Sequence, residues 1–462
     1  MTRIEAFDAV IIGAGQAGKP LAPALAKAGW KTAIVEREHV GGTCINVGCT
    51  PTKTMVASAR VAYLARRAAD YGVGTGPVTV DMNKVIARKR AIVERFRDYG
   101  TQRLQKTENV ELIFGAARFV DAKTVEVALR DGGTRRLAAQ KIVIDTGGRP
   151  FVPPIPGLAD VPHLDSTSVM ELNEVPRHLV VLGGGFIGLE FAQMFRRFGA
   201  EVTVLEGLPR LAAREDEDVG DALRKVLEED GLRIETGALA ERVEGKAGDV
   251  AVHYTQDGTA KTVRGSHLLV AVGRRPNTED LALGAAGVAT ERGFIPVDET
   301  LQTNVPGIHA VGDVKGGPQF THIAYDDFRI LRDRWVLGLD AKLGDRLVPN
   351  TVFTDPQLAS VGLNETEARR RGLDIRVAKI GMNGIARALE VDEARGFVKV
   401  IVGAKTGQIL GCTVFGIEGG EIMSMLQIAM FGKLPYTVLK EAIFAHPTLA
   451  EGLNNVFLAL DA

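Results

Sequence analysis

The sequence predicts an α/β protein in which two units with doubly wound parallel sheets precede a C-terminal α+β domain. Three observations predict this fold. The chain has 462 residues and 53 glycines, which suits about three domains with many tight turns. A pattern of strand, glycine turn, helix and strand occurs twice without a gap. Alternating apolar strands and an apolar helix, IMSMLQIAMFGKL over residues 422–434, occupy the last quarter of the chain.

The two copies of the pattern begin with AVIIGAGQAG, from Ala9, and LVVLGGGFIG, from Leu179. In G-x-G-x-x-G the first glycine permits the tight turn, the second lets a pyrophosphate approach, and the third lets helix and strand pack closely. The helix N-terminus attracts phosphates, and an acid after the second strand bonds a ribose hydroxyl. Two Rossmann-like dinucleotide-binding domains are therefore predicted, with cofactor contacts from Gly13, Gly15, Gly18 and Glu36, and from Gly183, Gly185, Gly188 and Glu206.

The segment GGTCINVGCTPTK, residues 41–53, holds two of the chain's three cysteines. Along a regular helix, Cys44 and Cys49 would be about 7.5 Å apart in rise alone, which is more than a disulfide prefers. The segment is therefore expected to be distorted or looped near Gly48. Thr50 is predicted to cap a following helix, with Pro51 in its first position.

This arrangement brings Cys49 to a helix N-terminus, near Lys53, where a thiolate is favoured. Three interpretations of the pair are open, namely a metal site, two inert buried thiols and a redox-active dithiol. A metal needs more ligands, but Cys412 is remote and no histidine flanks the pair. The two cofactor motifs favour redox chemistry, and Cys412 is interpreted as a core residue of a strand.

Two dinucleotide sites and a cysteine pair imply electron transfer between two cofactors. We expect the second site to hold the nicotinamide. A carboxylate at Glu206 repels the 2′-phosphate of NADP, which favours NAD(H). Arg210 and Arg214 follow closely and could accommodate that phosphate, so NADP(H) stays an alternative.

Composition excludes several classes of protein. The net charge is −1, with no basic excess for nucleic acid. The first apolar run is short, unlike a signal peptide, and no stretch approaches about 18 uncharged apolar residues. Three cysteines do not form a secreted disulfide framework. We therefore expect a cytoplasmic protein with neither a nucleic-acid nor a membrane partner.

These motifs, together with AVGRRPN at 271–277, TNVPGIHAVGDV at 303–314 and HPTLAE at 446–451, resemble the FAD-dependent pyridine nucleotide–disulfide oxidoreductases. That family includes dihydrolipoamide dehydrogenase, glutathione reductase and mercuric reductase. The resemblance covers nearly the whole chain. It implies FAD in the first site, a nicotinamide cofactor in the second and a C-terminal dimerisation domain.

The resemblance also implies residue roles. Cys49 would face the flavin and form a charge-transfer complex when reduced, while Cys44 would exchange with substrate. Lys53 would pair with Glu190 near the flavin's reactive nitrogen. Asp313 would hold the ribityl chain and diphosphate. Further cofactor contacts are expected from Gly42, Thr43, Thr146, Gly147 and Gly273, although Asp145 replaces the alanine that precedes this Thr-Gly pair in the family.

The segment AHPTLAE resembles the family's catalytic base segment, which the partner subunit contributes. His446 would take the proton from Cys44, and Glu451 would orient the imidazole. An obligate homodimer follows from this arrangement. His322 could approach the flavin, or it could be an ordinary residue at a helix start.

The resemblance is strongest to mercuric reductase-like members, but the chain ends in NNVFLALDA without a vicinal cysteine pair. We therefore expect electrons to pass from NAD(P)H through FAD and the cysteine disulfide to a disulfide or metal-ion acceptor. Alternatives are a dihydrolipoamide dehydrogenase and a non-catalytic flavin redox sensor. The predicted domains are FAD-binding over 1–150 and 277–345, NAD(P)-binding over 151–276, and dimerisation over 346–462.

Overall fold

The computed structural model describes residues 3–344 and 346–461. The chain divides into two compact units. The first comprises Met1–Thr54, Lys84–Phe151 and Gly273–Arg346, and the second comprises Met55–Asn83, Val152–Val272 and Leu347–Ala462. Predicted domain limits at residues 1, 345 and 462 lie outside the described residues.

The strands are numbered here in chain order. They are β1 Ile4–Ile12, β2 Thr32–Glu36, β3 Val110–Phe119, β4 Thr124–Leu129, β5 Thr134–Ile144, β6 Gly148–Pro150, β7 His178–Leu182, β8 Glu201–Glu206, β9 Arg233–Thr236, β10 Leu239–Lys246, β11 Asp249–Gln256, β12 Thr259–Gly265, β13 His267–Val270, β14 Arg274–Pro276, β15 Ile308–Ala310, β16 Asn350–Val352, β17 Gln357–Gly362, β18 Ile375–Gly381, β19 Phe397–Gly403 and β20 Ile409–Gly416.

The α-helices follow the same convention. They are α1 Gly18–Lys27, α2 Gly42–Asn46, α3 Cys49–Arg66, α4 Met82–Gln105, α5 Phe186–Phe198, α6 Glu217–Glu229, α7 Thr321–Trp335, α8 Glu365–Arg370, α9 Ala386–Glu390, α10 Gly419–Phe431, α11 Tyr436–Lys440 and α12 Gly452–Leu458. Short 3₁₀ turns occur at Ala68–Tyr71, Leu158–Asp160, Ser168–Glu171, Glu279–Leu281, Leu283–Ala286, Gly312–Lys315 and Met382–Gly384.

The first unit is built on a parallel sheet. Strand β1 pairs in parallel with β2 and β5, β2 pairs with β3, and β15 pairs with β5. Strand β4 joins β3 and β5 as antiparallel partners. Apolar residues pack on both faces of the sheet, and α1 and α7 cover one of them. The carboxyl ends of β1, β5 and β15 therefore meet at one edge, where open α/β sheets bind ligands.

The second unit contains a four-stranded parallel sheet in the order β13-β7-β8-β9 and an antiparallel sheet of β10, β11 and β12. A further antiparallel sheet, in the order β16-β17-β20-β19-β18, carries α10 and α12. Cys412 lies in β20 and is buried, as predicted. The predicted α/β class with a C-terminal α+β domain is confirmed.

Two helix boundaries differ from the prediction. Helix α3 begins at Cys49, so Thr50 lies within the helix and is not its cap, and Pro51 is its third residue. The helix predicted over residues 422–434 is α10, which starts and ends earlier. It ends at Phe431 because Lys433 adopts φ +51°, a left-handed conformation that cannot continue a helix.

Candidate active site

The first glycine motif lies between β1 and α1. Gly13 has φ +106°, and a Cβ there would lie 2.2 Å from the carbonyl oxygen of Asp145. Glu36, the last residue of β2, accepts hydrogen bonds from Ala14 N–H at 2.9 Å and from Glu38 N–H at 2.8 Å. A neighbouring strand end and an acidic side chain therefore hold the loop in place.

Asp145 closes this loop at the end of β5. Its Oδ2 accepts a hydrogen bond from Gly18 N–H at 2.7 Å, and a Cβ at Gly15 would lie 2.7 Å from the same oxygen. Burial raises the pKa of Asp145 well above its ordinary value, against the opposing hydrogen bond from Gly18. The neighbouring carboxylates of Asp313 and Glu36 raise it further. The folded protein therefore favours the neutral acid at this position.

Asp313 stands in the turn that follows β15. Asp327 holds this turn, because it accepts Gly312 N–H at 2.8 Å and pairs with Lys315 at 3.3 Å. Burial raises the pKa of Asp313, while Arg274 and Lys315 lower it. The Nε atom of Arg274 lies 3.9 Å from Asp313 Oδ2. The acid is thus held near compensating cations at the ligand-binding edge of the sheet.

Thr146 and Gly147 are joined to the AVGRRPN segment. Thr146 Oγ1 donates to the Asn277 carbonyl at 2.8 Å, and Asn277 Nδ2 donates back to the Thr146 carbonyl at 2.9 Å. Asn277 N–H also donates to the Gly147 carbonyl at 3.0 Å. Gly273, in the same segment, accepts a hydrogen bond from Phe151 N–H at 3.0 Å. The sequence resemblance included this segment, but it did not predict the hydrogen bonds that join Asn277 to Thr146 and Gly147.

Gly42 and Thr43 begin α2 and lie against the glycine loop. A Cβ at Gly42 would lie 2.9 Å from the Cα of Gly15, so the two backbones pack closely. Thr43 Oγ1 donates to the Gly148 carbonyl at 3.4 Å. The glycines and the α1 N-terminus form a cradle that a bulkier residue would fill. This cradle fits a dinucleotide diphosphate.

The two cysteines lie on either side of a helix break. Cys44 is in α2, while Cys49 opens α3, so the predicted distortion between them is confirmed. Cys49 Sγ lies 3.3 Å from Oγ1 of Thr321, the first residue of α7. A hydrogen bond with Cys49, together with burial, raises the pKa of Cys44, whereas Thr321 and Lys19 lower it. The surroundings of Cys44 therefore favour its thiol form.

The second glycine motif lies between β7 and α5. Gly183 also has φ +106°, and a Cβ there would lie 2.5 Å from the Ala271 carbonyl oxygen. Glu206 accepts Gly184 N–H at 2.6 Å and Leu208 N–H at 2.7 Å. This loop also fits a dinucleotide, because no atom lies within 4 Å of a Cβ built at Gly185.

The remaining glycine and the nearby arginines complete this region. A Cβ at Gly188 would lie 2.1 Å from the Gly183 carbonyl oxygen, which gives the close helix–strand packing expected of a third glycine. Arg210 Nη1 lies 3.9 Å from Glu217 Oε2, and the backbone carbonyl of Arg214 accepts a hydrogen bond from Asn364.

Two predicted catalytic residues are helical. Lys53 is half-buried in the second turn of α3, within the first unit. Glu190 is buried on α5, within the second unit, where its Oε1 accepts Phe353 N–H at 2.8 Å. His322, the second residue of α7, stacks on Phe320 with 5.2 Å between ring centroids.

His446 and Glu451 form the contact that their spacing predicts. Nδ1 of His446 lies 2.9 Å from Glu451 Oε2 and 3.1 Å from its Oε1. The His446 side chain is 72% exposed, whereas Glu451 is 19% exposed. The carboxylate orients the imidazole through Nδ1, so Nε2 is the ring nitrogen that this contact leaves for exchanging a proton.

Sequence profiles of known families match most of the chain. The profile described as pyridine nucleotide-disulphide oxidoreductase covers residues 7–327, and the profile for the dimerisation domain of the same family covers residues 348–457. The chain belongs to the pyridine nucleotide-disulphide oxidoreductase family. The predicted family, together with its FAD and NAD(P)H cofactors, is confirmed.

Several members of this family are similar over most of their length. The probable pyridine nucleotide-disulfide oxidoreductase RclA of Escherichia coli K12 is 39% identical, with 98% of both chains covered. The mercuric reductase of Lysinibacillus sphaericus is 34% identical, covering 98% of this chain and 83% of the relative. The dihydrolipoyl dehydrogenase of Chlamydia muridarum is 35% identical, covering 99% and 97%.

A solved structure gives the same result. The Cu(II) complex of the HOCl-induced flavoprotein disulfide reductase RclA from Escherichia coli has a TM-score of 0.90 and 38% identity, covering 98% of this chain and 99% of that chain. Enzymes of the family act on NAD(P)H and on disulfides or Hg(II). The dimerisation domain supports a homodimer.

Within residues 3–344 and 346–461, every helix is too short or too polar to traverse a membrane. No group of three His, Cys, Asp or Glu side chains in the same residues is arranged to hold a metal ion. Thr321 and Lys19 both lower the pKa of Cys44, but the sequence did not predict a role for either residue. The one indication for Thr321 was its position next to His322.

Proposed function

We propose that this chain is an NADH-dependent flavoprotein reductase in which Cys44 and Cys49 form the redox-active disulfide. The observation that carries this proposal is the hydrogen-bonded thiol pair at a helix start, in the unit that contains the first glycine motif. The loop at Gly13, Gly15 and Gly18 would hold FAD, whose chemistry would be to carry two electrons from the nicotinamide to the disulfide. Glu206 supports the preference for NADH over NADPH.

The proposed roles of the cysteines follow from their surroundings. Two electrons break the Cys44–Cys49 bond and leave a thiolate on Cys49, which the α3 N-terminus and the Thr321 hydroxyl stabilise. The Cys44 sulfur takes up one proton, which the hydride supplies together with the two electrons. Lys53 and Glu190 are proposed to serve the preceding transfer of electrons.

The proposed exchange step uses His446 of the partner subunit. Its Nε2 takes the proton from Cys44, whose sulfur attacks one sulfur of the acceptor disulfide and releases a thiolate. His446 returns the proton to that thiolate. The Cys49 thiolate then attacks the Cys44 sulfur, restores the disulfide and releases the second product as a thiolate, which takes its proton from water. The Glu451 contact supports this role because it orients the imidazole.

The acceptor is proposed to be a small disulfide or a metal ion. NADH oxidation with lipoamide, glutathione disulfide, Hg(II) and Cu(II) tests this. Cys49→Ala should abolish turnover and the long-wavelength absorbance that appears on reduction, whereas Cys412→Ala should preserve both. His446→Gln should slow disulfide exchange far more than flavin reduction. Turnover that survives Cys49→Ala would refute the proposal.

A dihydrolipoamide dehydrogenase is the second candidate, because the His446–Glu451 contact suits exchange with a dithiol. The same panel separates the two functions. Reduction of NAD by dihydrolipoamide at a rate above all the acceptor reactions would favour this second candidate.

A further inference from the structure

Lys19 follows the third glycine of the first motif and is the second residue of α1. Its backbone N–H donates to the Gly15 carbonyl at 3.1 Å, which fixes it in the first helical turn. The side chain is half-buried, and its Cδ lies 3.5 Å from the position that a Cβ of Gly100 on α4 would occupy. The aliphatic stem is therefore packed between two helices. Lysine is rarely buried without an anionic partner, because desolvating an ammonium is costly.

No carboxylate compensates this ammonium among residues 3–344 and 346–461, where Lys19 forms no salt bridge with Asp or Glu. Burial lowers the pKa of Lys19, the Cys44 sulfur raises it, and the neighbouring Arg103 lowers it. Within the part of the chain that the structure describes, the one anion-forming group that acts on Lys19 is thus the thiol of Cys44. The position is suited to a negative charge that appears during a reaction.

The backbone explains why Lys19 and Cys44 belong to one cluster. The loop at Gly15 and the start of α2 at Gly42 are in contact, because a Cβ at Gly42 would lie 2.9 Å from the Gly15 Cα. Lys19 lies one helical turn after Gly15, and Cys44 lies two residues after Gly42. Exposed Arg103, near the end of α4, adds a second positive charge to this side of the cluster.

We propose that Lys19 determines acceptor specificity, because its ammonium attracts acceptors that carry negative charge beside the bond to be reduced. This inference rests on the proposed function, in which Cys44 attacks the acceptor. An anionic disulfide would be drawn to Cys44, and the thiolate released from it would leave beside a positive charge. The step needs no reactant beyond NADH and the acceptor.

Alkylation of the holoenzyme tests the local potential directly. The NADH-reduced protein is treated with iodoacetate, which is anionic, and with iodoacetamide, which is neutral, and modification of Cys44 is followed by peptide mass mapping. Both reagents attack the same thiolate, so the ratio of their rates cancels the thiol pKa and reports the electrostatic potential. Lys19→Gln should lower the iodoacetate-to-iodoacetamide ratio by about three- to tenfold.

Matched variants make this result specific. Lys19→Arg should keep the ratio, and Lys27→Gln, at the exposed end of the same helix, should not change it. High salt should reduce the difference in the iodoacetate-to-iodoacetamide ratio between the wild-type protein and Lys19→Gln, because salt screens the charge. A ratio that Lys19→Gln leaves unchanged would overturn the inference. So would loss of bound FAD from Lys19→Gln, because the ammonium would then serve the cofactor.

Failure of the proposed function gives a different result. In that case alkylation of Cys44 would not depend on prior reduction by NADH, whatever the ratio of rates. In the other case, Cys44 becomes open to alkylation only after reduction by NADH, while Lys19→Gln leaves the iodoacetate-to-iodoacetamide ratio unchanged. That result would support the proposed function and refute the inference about specificity.

Steady-state kinetics then test the substrate class. Three small disulfides of similar size differ in charge, namely 3,3′-dithiodipropionate, 2-hydroxyethyl disulfide and cystamine. The kcat/KM of the wild-type protein should fall in that order, from anion to neutral molecule to cation. Lys19→Gln should reduce the preference for the anion over the cation by about tenfold or more. The anionic disulfide loses an attraction to the ammonium, and the cationic disulfide loses a repulsion from it. Equal preferences in the two proteins would refute the inference.

Discussion

The two glycine motifs have nearly the same backbone in different surroundings. Gly13 and Gly183 share φ +106°, and each glutamate that follows accepts two backbone N–H groups in the same pattern. The residues that close the loops also correspond. Asp145 N–H donates to the Ile12 carbonyl, and Ala271 N–H donates to the Leu182 carbonyl, both at 2.8 Å.

The difference lies in what those closing residues carry. Asp145 brings a buried carboxyl group that accepts Gly18 N–H and crowds Gly15. Ala271 brings only a methyl group, which would lie 3.5 Å from a Cβ at Gly188, and the space around Gly185 stays open. The same fold therefore makes one closed loop and one open loop. A closed loop suits a cofactor that stays bound, and an open loop suits one that exchanges at every turnover.

The largest expected effect comes from the first glycine of each motif. An added Cβ would meet a carbonyl oxygen at 2.2 Å in Gly13→Ala and at 2.5 Å in Gly183→Ala, in a backbone conformation that alanine disfavours. Gly13→Ala should be isolated without FAD. Gly183→Ala should keep FAD and lose NADH affinity by at least about 100-fold, or roughly 2.7 kcal/mol. Flavin absorbance and NADH titration measure the two losses.

These two variants also test the assignment of the sites. The exposed turn variant Gly132→Ala, in the first unit, controls for a general effect of replacing a glycine with positive φ. If Gly183→Ala released FAD while Gly13→Ala weakened NADH binding, the assignment of the two cofactors would be reversed.

The next effect concerns Asp145, and its sign depends on pH. An acid with a raised pKa binds its proton more tightly in the folded state, so this group's contribution to stability is lost as pH rises from about 3.9 toward the folded pKa. Asp145→Asn removes the titration. The urea midpoint for FAD release from Asp145→Asn, minus the midpoint for the wild-type protein, should therefore increase with pH. Asp145→Ala should cost about 1–3 kcal/mol, because Gly18 N–H loses its partner.

Two comparisons make the Asp145 result decisive. Asp131→Asn, at an exposed turn in the same unit, should show no such pH dependence. Gly15→Ala should be destabilising alone and better tolerated in combination with Asp145→Ala, because the clashing Oδ2 atom is gone. Two outcomes would show that Asp145 does not close the loop as a neutral acid. One is additive effects of Gly15→Ala and Asp145→Ala, and the other is a wild-type urea midpoint that rises with pH as much as that of Asp145→Asn.

Local patterns in the sequence predicted the parts of the site that lie close together in the chain. The spacing of the glycines predicted both loops, and the five-residue spacing in HPTLAE predicted the contact of His446 with Glu451. The position of Cys49 at a helix start was also predictable, although the cap residue was misplaced because Thr50 and Pro51 suit a helix start wherever it falls within that turn.

Contacts between distant segments could not be predicted in this way. Thr321 reaches Cys49 across 272 residues, and no periodicity or spacing marks such a pair. The isolation of Lys19 depends on which carboxylates are absent from its surroundings, which a linear pattern does not record. Asp145 was recognised only as a departure from the family, since its raised pKa arises from burial. Nothing in the sequence indicated that Met55–Asn83 belongs to the second unit, because helix α3 continues without a break across Thr54.

The smallest expected effect separates the open loop from the closed one most cleanly. Gly185 has φ −79°, which alanine adopts freely, and nothing lies within 4 Å of its Cβ position. Gly185→Ala should therefore change the free energy of unfolding by less than about 0.5 kcal/mol, as measured by urea denaturation. It should still weaken NADH binding, because the space it fills is the space that the pyrophosphate needs. A variant that binds NADH normally would show that this loop does not need its second glycine for the cofactor. A variant that is clearly destabilised would show that the second loop is closed by contacts as tight as those around Asp145.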